Sequence, residues 1–189
     1  MPKEKLFLTP NGLDNSEYRF VDKPKYPDRS ICIGKIEDRK KQYFLQGIDS
    51  LWFAGNIADN RFNKNKNYLG ELPKSKIKTD LTEYGNLVLV SDGEVHPRVC
   101  TEALAAGLGV VISECGIANL DLDKEFITVI PDSKINDLEY IQTQTIRNRD
   151  FSIRNRHAII DYARQFDWSN IIEKYYLPSI QKVRSNYDS

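Results

Sequence analysis

The sequence predicts an α/β fold, a Rossmann-like doubly wound parallel sheet with extra C-terminal helices. Three observations predict it. Short β-type runs alternate with helical patterns between residues 31 and 130, the order expected of a parallel sheet with helices on both faces. The β-type runs are continuous, as in Asn86-Leu-Val-Leu-Val90 and Gly109-Val-Val-Ile-Ser113, so both sides of these strands are expected to be buried. Beyond Pro131 the pattern becomes helical.

Taken in order, residues 1–29 are polar and punctuated by Pro2, Pro10, Pro24 and Pro27, and read as a connecting arm outside the core. Strands are expected at 31–34, 51–54, about 68–70, 87–91, 110–113 and 127–130. Helices fit at 39–48, 74–83 and 97–106. Pro97 suits the first position of the last of these, where its missing N–H costs nothing, and Gly107 suits its end. Three more helices are expected at 135–148, 151–166 and 168–183, the last capped by Asp167 or Ser169. Residues 30–189 thus read as one domain behind an N-terminal arm.

Composition narrows the function. The chain of 189 residues is long enough for one core, and 40% hydrophobic with 29% charged residues is the balance of a globular protein. Formal net charge is zero, which excludes a global field for nucleic acid. Arg147, Arg149, Arg154 and Arg156 then read as a solvated face. Cys32, Cys100 and Cys115 lie in apolar runs without metal-ligand spacing, and read as reduced thiols of a cytoplasmic protein. No apolar run reaches the ~18–20 residues that span a bilayer, and the N-terminus lacks a signal-peptide pattern. A peripheral membrane contact is compatible with this composition. Asp121-Leu-Asp123 reads as a cap or surface turn, His157 as a helix-surface residue, and Trp168, Tyr175 and Tyr176 as packing.

Ligands of open parallel sheets bind beyond the carboxyl ends of the strands, and two strand-end loops carry unusual chemistry. Gly34-Lys35-Ile-Glu-Asp-Arg39-Lys40-Lys41 places several cations where a helix begins, against the helix dipole. Either an anion sits between them or the loop is a solvated charged turn. The second loop, Ser91-Asp-Gly93-Glu94-Val-His96-Pro97-Arg98, leads into Val99-Cys-Thr-Glu102-Ala-Leu-Ala-Ala-Gly107. The N–H groups of Arg98 and Val99 form a candidate anion site at a helix start. Glu102 is the one acid in a small and apolar helix, so it should face a partner or ligand hydroxyl groups. Glu94 and Glu102 stand about ten ångströms apart by helical rise, and could grip two ends of one extended ligand. A helix end contributes about 0.3–1 kcal/mol, whereas micromolar binding needs about 8 kcal/mol. A diphosphate therefore needs both loops.

These motifs resemble the C-terminal domain of family 4 retaining glycosyltransferases, which have the GT-B fold. Thr9-Pro-Asn-Gly-Leu-Asp14 is similar to the family's interdomain segment, and Gly34-Lys35 followed by Lys40 to its diphosphate loop. Phe53-Ala-Gly55 and Tyr68-Leu-Gly70 are similar to the next two strand ends. Glu94 to Glu102 has the family's Glu-x7-Glu spacing, and the resemblance covers nearly the whole chain from Pro10. It implies that Lys35 and Lys40 bind the diphosphate and stabilise the leaving group, and that Glu94 contacts the donor sugar. It further implies that Glu102 binds the ribose, that the N–H groups around Arg98 and Val99 face a phosphate, and that residues near Leu72 to Lys76 lie by the base. His96 is a candidate donor contact. The donor would be a UDP- or GDP-sugar, with no cofactor and no metal, and the family's work is hexosyl transfer in polysaccharide biosynthesis.

Val95 and His96 replace the Gly and Phe usual in the family, and Cys115-Gly-Ile-Ala-Asn119 replaces a glycine pair. The family's acceptor-binding N-terminal domain has no counterpart in this sequence. The chain is therefore expected to be a piece of a longer enzyme or one subunit of a split one, binding donor but transferring poorly alone. The alternative is a non-catalytic nucleotide-sugar-binding or interaction subunit working through a partner chain. A sugar-nucleotide epimerase half shares the architecture but needs further acid–base residues that these motifs do not supply.

Overall fold

A computed structural model describes residues 9–94 and 97–185. Five strands, β1 (Tyr26–Ile33), β2 (Leu51–Ala54), β3 (Tyr84–Leu89), β4 (Gly109–Ser113) and β5 (Ile127–Ile130), form one sheet in the order β2-β1-β3-β4-β5. Every neighbouring pair is parallel. The expected Rossmann-like α/β fold is thus observed. Side chains alternate across it. Ile31, Ile33, Leu87, Leu89, Val110 and Ile112 enter one core layer, while Cys32, Phe53, Val88, Val90 and Val111 enter the other. The first layer is covered by α3 (Arg98–Ala105) and α5 (Arg156–Ala163), the second by α1 (Gln42–Leu45) and α4 (Leu138–Arg154). Burial on both faces is what the unbroken apolar runs demand.

Several boundaries differ from the sequence expectation, each for a local reason. β1 starts at Tyr26, inside the expected arm. Pro27 is tolerated because pairing with β2 begins only at Ser30 and the ladder to β3 is irregular between Tyr26 and Ser30. The arm also joins the core: Leu13 and Tyr18 are buried, Leu13 N–H donates to Phe166 O, and Trp168 N–H donates to Leu13 O. The strand expected near 68–70 is a single bridge from Tyr68 to Phe53, bounded by left-handed Asn67 and Gly70. The expected helix at 39–48 is a 3-10 turn, Asp38–Lys40, followed by left-handed Lys41 and the one-turn α1. The helix α2 (Lys74–Asp80) tightens into a 3-10 turn at Leu81–Glu83.

The C-terminal helices break at Asn155 rather than near residue 149. The last one runs as α6 (Trp168–Ile171), a π turn at Ile172–Tyr176, and α7 (Leu177–Ser185), with Asp167 accepting from Ser169 N–H at its start. Asp121 accepts from Asp123 N–H in a turn, and His157 is exposed against Phe20. Trp168 is partly exposed and packs over Gly12.

The basic run is not a solvated face, because Arg149 and Arg156 are buried. Arg156, 2% exposed, donates to the carbonyls of Val21, Tyr84, Thr82 and Ala106 and to Thr82 Oγ1, at 2.7–3.2 Å. It ties the arm, the entry to β3 and the end of α3 together. Among the described residues no helix is long and apolar enough to cross a membrane. Cys32 and Cys100 are buried free thiols and Cys115 is partly exposed.

Candidate functional site

In a sheet ordered β2-β1-β3-β4-β5 the chain winds one way from β1 and the other way from β3. The crevice at their carboxyl ends is the topological switch point, where such folds bind ligands. The loops leaving these two strands are the two that the sequence marks as chemically unusual.

The loop after β1 turns on Gly34, at φ +146. Gly55, at φ +145, ends β2 beside it, and a β-carbon there would overlap the Gly34 carbonyl oxygen. Only glycine allows this approach. A β-carbon on Gly34 would in turn stand 3.1 Å from Lys40 Nζ, so the lysine lies over the turn. Lys41 is left-handed at φ 51, which brings its ammonium to Asp92 at 2.9 Å and to Asn136 at 3.1 Å.

The loop after β3 is held from below by Ser113, whose hydroxyl accepts from Ser91 N–H and donates to Ser91 O. It is held from the side by Arg39, whose carbonyl accepts from Asp92 N–H at 2.8 Å and whose guanidinium donates to the Gly93 carbonyl. Glu94 meets two of the first loop's four cations through one oxygen, Arg39 at 3.1 Å and Lys40 at 3.3 Å. Lys40 and Glu94 are largely buried here, with side chains 14% and 15% exposed, so their pairing is shielded compared with a surface ion pair.

Pro97 occupies the cap position and α3 begins at Arg98, one residue later than expected. Arg98 and Val99 lie in the first turn, where no intrahelical acceptor exists for their N–H groups. The far end closes as the sequence suggests. Gly107, at φ +80, donates to Leu104 O, and Leu108 donates to Ala103 O.

Glu102 is half-buried on α3, facing Tyr18 from the arm. Burial first, then the adjacent Glu102 carboxylate, push the Tyr18 hydroxyl pKa up, while Arg98 acts against them. Burial likewise raises the Cys100 thiol, and the charges of Glu94 and Glu102 raise it further. Cys100 is buried on α3, two residues before Glu102. Burial pushes the Cys32 thiol up to about 12, with Lys40 opposing.

Lys35 stands apart from Lys40. Its side chain is 59% exposed, 3.6 Å from Glu37, and lines an open cleft of about 430 Å³ with Gly34, Gly55, Asn56, Glu71 and Leu72. The structure thus brings Gly34, Lys40 and Glu94 together, with Glu102 and the start of α3 on the neighbouring element. His96 lies outside the described residues. Sequence reasoning counted Arg39 among the loop cations without giving it a role, and missed Tyr18. The first has a signal in its place beside Lys40. Tyr18 has none, being a lone aromatic in a polar segment.

No family model and no curated protein matches this chain. Solved structures do. The GtfA/B complex matches with a TM-score of 0.70 at 14% identity, over 94% of this chain and 40% of its own. The lipopolysaccharide outer core galactosyltransferase WaaB matches at 0.68 and 13%, over 91% of this chain and 54% of its own. Anabaena HepE, solved with UDP and glucose, matches at 0.67 and 16%, over 94% and 56%. The fold is that of a GT-B glycosyltransferase domain. At these identities the likeness is one of fold, and the chain spans about half the length of these neighbours.

Proposed function

We propose that this chain is the donor-binding half of a retaining glycosyltransferase, holding a UDP- or GDP-sugar and transferring the hexosyl group with an acceptor-binding domain or partner chain. The observation that carries the reading is the pairing of Lys40 with Glu94 at the switch point, against the start of α3. The diphosphate would lie between Lys35, Lys40 and the Arg98 and Val99 N–H groups. As the sugar–phosphate bond breaks, charge grows on the leaving diphosphate, and fixed cations stabilise it more than they stabilise the intact donor. No metal or cofactor is required in this reading. Glu94 would accept from a sugar hydroxyl and Glu102 from the ribose, while the base would enter the cleft by Gly55 and Leu72. Neighbours solved with UDP, such as HepE, support the donor class. The acceptor would be a growing glycan or lipid-linked chain, placing the protein in polysaccharide biosynthesis at the cytoplasmic side.

The split between two variants tests it. Lys40→Ala should weaken a nucleoside diphosphate and inorganic pyrophosphate alike. Glu102→Ala should weaken only the nucleoside diphosphate, by about tenfold, the value of one charge-assisted hydrogen bond. Equal affinity for the nucleoside diphosphate in Glu102→Ala refutes the ribose role. One finding favours a second reading, a nucleotide-sugar-binding subunit without its own catalysis: one structure that shares this fold is the GtfA/B complex. Transfer activity on adding an acceptor-binding half separates the two.

A further inference from the structure

We propose that Arg39 is a positioning residue that fixes Glu94 for the donor sugar, an inference that rests on the donor-site reading above. Arg39 belongs to the 3-10 turn of the first loop, yet most of its bonds are made to the second. One guanidinium nitrogen donates to the Gly93 carbonyl and to Glu94 Oε1 at 3.1 Å. Its Nε meets Glu37 Oε1 at 2.8 Å, and its own carbonyl takes Asp92 N–H at 2.8 Å. The contacts bracket Gly93, around which a β-carbon would meet nothing within 4 Å. The Ser91 hydroxyl holds Gly93 from within its own loop, taking its N–H at 3.2 Å and donating to its carbonyl at 3.3 Å. Arg39 supplies the hold from the first loop, and the aim of the next side chain, Glu94, depends on it.

Arg39 and Lys40 both approach the same oxygen of Glu94, Oε1. Among the described residues both contacts fall on Oε1 and none on Oε2, which leaves one edge of the carboxylate for a hydroxyl donor. The two cations have different duties. Lys40 lies over the Gly34 turn and would be shared with the diphosphate once a donor arrives. Arg39 is anchored away from it by Glu37 and the Gly93 carbonyl, so it keeps its hold on Glu94 in the loaded site. The fork bonds Glu37 through Nε while one terminal nitrogen holds the Gly93 carbonyl and Glu94, a spread of contacts that a lysine ammonium at the same position does not reproduce.

The test is calorimetric titration of the full chain with UDP and UDP-glucose, and in parallel with GDP and GDP-mannose. The quantity read is the ratio of the two dissociation constants within each pair. Arg39→Ala should shift that ratio about tenfold against the nucleotide sugar, the value of one charge-assisted hydrogen bond. Affinity for the nucleoside diphosphate alone should stay within about threefold. Glu94→Ala should give the same shift, and the double variant no more than either single one, the signature of residues acting through one another. If Arg39→Ala melts early, Arg39→Lys keeps the charge, loses the fork, and should show the same shift. Equal losses for diphosphate and sugar nucleotide, or additive effects with Glu94→Ala, overturn the inference. Failure of the folded wild-type chain to bind any of the four ligands overturns the donor-site reading itself, and this inference with it.

Discussion

Gly55→Ala should damage both the fold and the site, and a graded glycine series isolates the reason. At φ +145 an L-residue is strained by about 1–3 kcal/mol. The new methyl would also overlap the Gly34 carbonyl oxygen and lie 3.4 Å from Lys35 N, and such overpacking costs about 1–3 kcal/mol more. The sum, about 2–6 kcal/mol, is a substantial share of the 5–15 kcal/mol that stabilises a typical domain. For a chain of this size it lowers the melting temperature by about 4–24 °C, at roughly 2–4 °C per kcal/mol. Gly70→Ala shares the positive φ, +82, but a β-carbon there meets nothing. It should cost only about 1–2 kcal/mol. Gly93→Ala has neither problem and should be neutral or stabilising by up to about 1 kcal/mol, through the unfolded chain. Thermal unfolding followed by circular dichroism gives the order. If Gly55→Ala melts with Gly70→Ala, the close approach of the β1 and β2 ends does not shape the first loop.

Arg156→Met keeps the apolar stem but leaves the carbonyls of Val21, Thr82, Tyr84 and Ala106 without their donor. It should destabilise the chain by about 3–5 kcal/mol in chemical denaturation, several unsatisfied acceptors being only partly rescued by water; a loss below about 1 kcal/mol would contradict the cage. Acid should remove a different contribution. The hydrogen bond from Arg61 holds the Asp59 carboxyl below the usual carboxylate range. A folded pKa below the unfolded value, about 3.9, means that the stability is fully present above that value and is lost as pH falls through the lower one. The melting gap between wild type and Asp59→Asn should therefore hold between about pH 7 and 5 and close below about pH 4. A gap unchanged in acid refutes the ionic origin.

Much of this architecture is legible in the sequence because continuous apolar runs have few ways to be buried. Val88 and Val111 face one layer while Leu87 and Val110 face the other, and only a sheet covered twice satisfies both. The loops at Gly34 and Glu94 are legible for a related reason, since charges beside a buried strand need a purpose. What stays hidden depends on distant partners. Leu13 and Tyr18 are isolated apolar residues in a polar stretch, without a period to reveal that α3 and Phe166 await them. Arg149 and Arg156 read as surface because their burial depends on carbonyl and hydroxyl oxygens of other segments. Lys41 reads as mid-helix because a left-handed lysine is held by Asp92 and Asn136, a cost that no local pattern announces.

In the proposed function, the switch point between β1 and β3 binds a nucleoside diphosphate. Isothermal titration of the full chain with UDP, GDP and ADP tests it most directly. At least one should bind in the micromolar range, about 8 kcal/mol, and Lys40→Ala should weaken it by tenfold or more, about the value of one charge-assisted contact. Heat-silent titrations with all three, in protein that unfolds cooperatively, would contradict the claim.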